Sequence, residues 1–254
     1  MGELKYKNNK LIVIIMVISI GMVSLIGINL GISHAAMNSN QVGTKKILID
    51  SGHGGMDGGT SSKNGTVEKN INLSIAIKLK ARLQKAGYEV VMTREDDAGL
   101  YSNKGTIREK YRDDLRKRCD LKESSKCDMF VSIHLNYFTE SKYSGGQVWY
   151  SNYKNSSILA SAIQKNFKID LDPNNKRVPK AAKSSYKILR ENDTMPSVIV
   201  ECGFLSNNEE EQKLKSGEYQ EKIAGSISKS ISEFYKSNLR SEERRVGKEC
   251  PRCV

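Results

Sequence analysis

Four side chains in this sequence have the types that metal-assisted hydrolysis needs: His53, Glu68, His134 and Glu201. The chain holds three histidines, and His34 belongs to an apolar leader, so both other imidazoles fall in the part that folds. His53 follows the β-rich run KILID, His134 closes DMFVSIH, and Glu201 comes directly after SVIV. Glu68 opens the first long amphipathic stretch, one glycine-rich loop beyond His53. Taken singly, each has a plain explanation. A histidine beside glycines is commonly a turn residue, an acid in a first helical turn complements the helix dipole, and a strand-end carboxylate faces water. None of these explanations predicts two imidazoles and two carboxylates on one rim. Two histidines and a carboxylate with an open fourth position form a ligand set of catalytic zinc. A further carboxylate, off the metal, is the general base and acid of zinc hydrolases. Gly52, Gly54, Gly55, Gly58 and Gly59 would let the backbone come close to a metal and its substrate.

The elements that must position these groups follow from periodicity. Residues 46–50 read as a buried strand, followed by the loop 51–60. Over 68–86, Ile71, Ile75, Leu79 and Leu83 lie on one helical face, and Gly87 supplies a left-handed cap. Strands are expected over 88–93, 128–134, 146–151 and 197–201, with a short one over 186–190. Helices are expected over 107–121, 157–169 and 218–235, and a polar, basic loop with Pro173 and Pro179 over 172–185. This alternation predicts a single α/β domain, a mostly parallel sheet flanked by helices on both faces, with no internal repeat. Ligands of open parallel sheets gather at the carboxyl ends of the strands, where His53, His134 and Glu201 fall, with Glu68 one loop away.

The two ends read differently. Residues 1–43 form a signal or anchor segment and linker. Lys5, Lys7 and Lys10 precede an uncharged apolar run over 11–32, long enough to cross a bilayer, and the positive flank directs the remainder outward. Ser33-His34-Ala35 offers small residues where a signal peptidase cuts, so cleavage and retention as a membrane anchor both stay open. The domain proper is expected over 44–238. Residues 239–254 shift toward Arg and Glu and read as a non-native tail. The net charge of +12 favours anionic partners such as a wall polymer. No nucleic-acid-binding signature accompanies it, and export removes nucleic acid as a partner. Five cysteines make no regular framework, and the sequence leaves open whether Cys119 and Cys127 pair outside the cell. Cys202 follows Glu201 and points to the other face of its strand, which disfavours a thiol nucleophile.

IDSGHGGMDGG, VEKNINLSIAIKLKARLQKAGYEVVMTR, FVSIHLNY and MPSVIVECGFLSNNEE, in that order, resemble the N-acetylmuramoyl-L-alanine amidase family known as Amidase_3. The resemblance spans about residues 46–235. One departure is Ser51, where the family usually has proline. The resemblance implies an α/β fold binding one zinc ion per chain through His53, Glu68 and His134, with Glu201 as catalytic carboxylate. It further implies cleavage of the amide between the muramic acid lactyl group and L-alanine of peptidoglycan. Size, a single domain, the N-terminal segment and the lack of wall-binding repeats look most like the family's spore-cortex members. That setting implies muramic-lactam formation and germination, a polysaccharide deacetylase acting afterwards, an activating protein, and a place outside the cytoplasmic membrane. General wall turnover or cell separation, and a non-catalytic wall-binding protein keeping the fold, are the alternatives. Between His134 and Glu201 little room remains for the blocking helix of division-associated members. Arg94, Asn136 and Arg190 near strand ends are candidate substrate-binding residues, the arginines by bidentate pairing with peptide carboxylates. Asp50 or Ser132 is expected to orient a ligating imidazole through its second nitrogen. Trp149 reads as core or as a sugar-stacking ring.

Overall fold

The computed structural model describes residues 44–246; the leader reading of residues 1–43 and the end of the tail, 247–254, lie outside the described residues. Six strands are described: β1 (Lys46–Ser51), β2 (Glu89–Met92), β3 (Met129–Asn136), β4 (Gln147–Tyr150), β5 (Lys180–Ala181) and β6 (Ser197–Phe204). They form one sheet in the order β2-β1-β3-β6-β4-β5. Every neighbouring pair is parallel except β4 with β6. Around it lie helices α1 (Glu68–Lys85), α2 (Ile107–Ser124), α3 (Ser156–Asp170), α4 (Lys187–Arg190), α5 (Asn208–Lys215) and α6 (Gly217–Val246). Among the described residues no helix is long and apolar enough to cross a membrane.

The alternation of side chains along a strand decides which residues meet which helix layer. In β3, Met129, Val131, Ile133 and Leu135 join Ile75, Leu79, Leu83, Ile163, Phe167, Ile227 and Ile231 in the larger core. Phe130 points the other way, with Leu48 and Ile199, against Cys119, Ile188 and Leu189 of the smaller core. Fully burying one such aliphatic side chain is worth about 1.5–3 kcal/mol. Both faces of the central strands are therefore covered, which explains why their sequences are nearly continuous apolar runs. Polar exceptions in those runs stand out: Asp50, Ser132 and Glu201.

Several boundaries differ from expectation. Residues 187–190 form a helical turn, not a strand, because Ile188 and Leu189 are consecutive and both must enter the smaller core. A strand would have sent them to opposite faces. β6 continues to Phe204, so Glu201 lies within the strand and not at its end. The register with β3 shifts between His134, paired with Glu201, and Asn136, paired with Phe204. Helix α5 was not anticipated, although Asn207 caps it by accepting from Glu210 N at 3.0 Å. Helix α6 runs through the boundary drawn after residue 238. Cys119 and Cys127 are free thiols, so the pairing considered for them is absent.

Candidate metal centre

Residues 51–60 carry the first imidazole. His53 sits at φ 62°, a left-handed conformation that costs a non-glycine residue energy. Two guanidinium groups hold it there. Arg94 Nε and Arg118 Nη2 both donate to the His53 carbonyl oxygen, at 2.7 and 2.6 Å. The ring's Nδ1 lies 2.7 Å from Asp57 Oδ2, which orients the ring with Nε2 toward Glu68. Nε2 is 3.2 Å from Glu68 Oε1, and His134 Nδ1 is 3.1 Å from the same oxygen. The His53 and His134 rings stand edge to face, 4.9 Å apart.

Glu68 is almost completely buried in the first turn of α1, whose N-cap, Val67, makes no side-chain cap. Its carboxylate is held from all sides. Oε2 accepts from Thr60 N at 2.9 Å, and Oε1 from Leu135 N at 3.0 Å and Asn72 Nδ2 at 3.1 Å. Two glycines make the approach of the rings feasible. A Cβ on Gly52 would fall inside the His134 imidazole, and one on Gly59 would strike both His53 and Glu68. The donor atoms of His53, Glu68 and His134 lie within 4.8 Å of one another, a grouping suited to one metal ion. Two imidazole nitrogens and a carboxylate oxygen are also the donor types that zinc accepts.

The electrostatics agree with a cation at this point. Burial alone would lower the His53 pKa, but the Asp57 and Glu68 carboxylates outweigh it and raise it to about 10. Burial would raise Glu68, yet hydrogen bonds from His134 and His53 hold it well below the usual carboxylate range. Glu201 behaves oppositely. It lies beside His134 in the β3–β6 register, is 8% exposed, and its Oε2 has no hydrogen-bond partner. Burial lifts its pKa to about 7, against the pull of His134. A carboxyl poised near neutrality beside a metal ligand set is suited to accept and return a proton.

These groups open into a cleft of about 540 Å³. His53, His134 and Glu201 line it together with Tyr111, Tyr186 and Arg190. The four residues singled out first are thus brought together. Of the three candidate substrate-binding residues, Arg190 alone reaches the cleft. Arg94 is 4% exposed, does not line the cleft, and donates to the carbonyls of Ser51, Gly52, His53, Lys69 and Asp96, so its guanidinium is committed to backbone and not turned to a substrate carboxylate. Asn136 uses its amide oxygen on Tyr137 N at 2.8 Å and does not line the cleft. Asp50 and Ser132 touch neither imidazole. Asp50 instead accepts from Arg118 Nη1 and Ser132 Oγ, each at 2.5 Å, and from Thr93 at 2.9 Å. The imidazole partner that was missed is Asp57. An acid four residues after a histidine, across two glycines, was its signal. Cys202 is buried in the larger core and its thiol is pushed far up by burial, which leaves it inert. Trp149 packs against Tyr186, ring centroids 5.4 Å apart, and is no cleft residue.

Comparison with known proteins gives the same direction. Residues 47–233 match the family model described as N-acetylmuramoyl-L-alanine amidase. The germination-specific N-acetylmuramoyl-L-alanine amidase of Bacillus subtilis is 38% identical over 194 residues, 75% of this chain and 80% of that protein. LytC, an N-acetylmuramoyl-L-alanine amidase of the same organism, is 32% identical over 78% of this chain and 37% of its own length. Among solved structures, the CwlD amidase of Clostridioides difficile, in complex with the GerS lipoprotein, shares 41% identity and a TM-score of 0.74. That match covers 76% of this chain and all of the CwlD chain.

Proposed function

The chain belongs to the N-acetylmuramoyl-L-alanine amidase family, and from that premise we propose a zinc-dependent peptidoglycan amidase of the spore cortex. The observation that carries the metal-dependent part is the meeting of His53 Nε2 and His134 Nδ1 on Glu68 Oε1 beside Glu201. In this reading His53, Glu68 and His134 hold one zinc ion, which when bound supplies Lewis acidity to the lactyl carbonyl and acidifies water. Glu201 takes the proton of the attacking water on its unpartnered Oε2 and returns it to the departing L-alanine nitrogen. Asp57 keeps the His53 ring oriented with Nε2 toward the site, and Arg94 and Arg118 keep its backbone in place. The wall carrying Tyr186 and Arg190 receives the peptide stem.

The cortex assignment is supported by the likeness to a germination-specific amidase and to CwlD. On this reading the amidase strips stems from muramic acid outside the cytoplasmic membrane, and a polysaccharide deacetylase acts next to allow lactam formation. The lipoprotein bound to CwlD motivates an activating partner for this chain as well. The test is mass spectrometry of muropeptides after digestion by the zinc-loaded protein. Free stem peptide and intact glycan are expected, with the rate of Glu201→Ala lower by about a hundredfold or more at full zinc occupancy. Undiminished release by that variant would remove Glu201 from the reaction. Cortex that keeps normal muramic lactam when the gene is deleted would refute the cortex role.

A further inference from the structure

Beside the cleft lies a second depression of about 430 Å³, and Lys187 lines both. Its other charged lining residues are Lys104, Arg112, Arg116, Glu109 and Asp113, giving four cations to two carboxylates. The carboxylates are already engaged. Glu109 Oε2 accepts from Thr106 N at 2.7 Å and Thr106 Oγ1 at 2.9 Å. Asp113 accepts from Ser102 N at 2.9 Å, pairs with Arg116 at 2.7 Å and approaches Lys117 at 3.3 Å. Among the described residues, Lys104 and Arg112 enter no ion pair, and Lys187 has only Glu191 at 3.5 Å. The wall that presents Lys187 is fixed from beneath. Lys122, 0% exposed, donates to the Ile188 and Glu191 carbonyls at 2.9 and 3.0 Å, its ammonium 5.2 Å from the centre of the Phe130 ring. That tie holds α4 with Lys187 toward the second depression and Arg190 toward the catalytic side.

We propose that the second depression is a subsite for the free carboxylates of the peptide stem, with Lys187, Arg112 and Lys104 selecting charged stems over amidated ones. The proposal rests on the amidase reading. A stem held at its muramoyl end near Glu201 must leave the cleft, and along Lys187 it meets four cations against two carboxylates, with Lys104 and Arg112 in no ion pair and Lys187 only loosely paired with Glu191. Charge-assisted hydrogen bonds to such cations are stronger than those to a neutral carboxamide of the same shape, so discrimination turns on charge and not size.

The test compares kcat/KM of the zinc-loaded full chain on a muropeptide with free stem carboxylates and on its carboxamide analogue. The wild type should prefer the carboxylate form about tenfold at low salt, and the preference should shrink as ionic strength rises. Lys187→Ala with Arg112→Ala should bring the ratio to within about twofold of unity. Lys187→Glu with Arg112→Glu should invert it. Both positions changed are on the surface or cleft rim, and the ratio is internal to each variant, so a partial loss of folded protein does not mimic the effect. A wild-type ratio near one, or a ratio unmoved in both double variants, overturns the subsite. Failure to release peptide from either substrate overturns the amidase reading instead, and the subsite with it.

Discussion

At the residue scale, the informative contrast is between Glu68 and Glu201. Both are buried carboxylates near the same imidazoles, yet one is driven well below the ordinary range and the other up to about 7. Four hydrogen-bond donors and two histidines stabilise charge on Glu68, whereas Glu201 keeps an oxygen with no partner. Environments that push two acids apart in this way separate a ligand from a proton carrier. Asp57 tests the ligand side. Asp57→Asn keeps the shape of the side chain but loses the charge that orients His53, so zinc affinity should weaken by about 10–100-fold in chelator competition. Unchanged affinity would mean that the 2.7 Å contact to Nδ1 is incidental.

At the element scale, the ligand-bearing loop is strapped to a helix distant in sequence. Glu211 of α5 accepts from Ser62 Oγ at 2.7 Å, Asn64 Nδ2 at 2.7 Å and Thr66 Oγ1 at 2.5 Å, all in the approach to Glu68. Glu211→Ala should cost about 2 kcal/mol in urea unfolding, since three bonds to a charged acceptor vanish together. It should also loosen the loop, read as faster amide exchange at the Glu68 and Lys69 N–H groups that bond Thr60 and Gly58. Exchange as slow as in the wild type would show that the strap does not hold the loop. This strap marks the limit of what the sequence makes legible. The alternation of strands and helices, the glycine loop and the four central residues could be read because each sits where a local pattern changes. Arg118 could not, because on a charged helix it looks like a solvated head, and only the fold sets it 2.5 Å from buried Asp50. Arg94 was read wrongly for a related reason. A strand-end arginine resembles a substrate clamp until five backbone carbonyls are seen to occupy it. Helix α4 was taken for a strand because four residues are too few for either period to declare itself.

For the whole molecule, the sheet and α2 are joined beneath the candidate metal centre by one buried charge network, and this sets how the protein responds to acid. Arg118 pairs with Asp50 at 2.5 Å and with Asp114 at 2.6 Å, while also holding the carbonyls of Ser51 and His53. Burial by itself would raise the Asp50 pKa, but the Arg118 charge, aided by His134 and the Ser132 hydroxyl, takes it below the ordinary value. The Glu211 carboxyl is lowered too, its burial outweighed by the hydroxyls of Thr66 and Ser62 and the Asn64 amide. For groups whose folded pKa is depressed, the unfolded chain binds protons first as pH falls. Their stabilisation is complete above the unfolded values of about 4 and drains away below them, toward the lower folded values. The metal-free protein should therefore lose unfolding free energy as pH drops below about 4, with Asp50 among the main causes. Asp50→Asn separates this from general acid denaturation. At pH 7 the variant should be less stable by about 3 kcal/mol, because Arg118 keeps Asp114 but loses its other buried counter-charge. Between pH 5 and pH 3 its stability should fall less steeply than that of the wild type, since one depressed carboxyl no longer titrates. Urea midpoints across that range give both quantities. Parallel slopes for the two proteins would show that Asp50 titrates alike in the folded and unfolded chain, and the network would then be a packing device and not an acid-sensitive one.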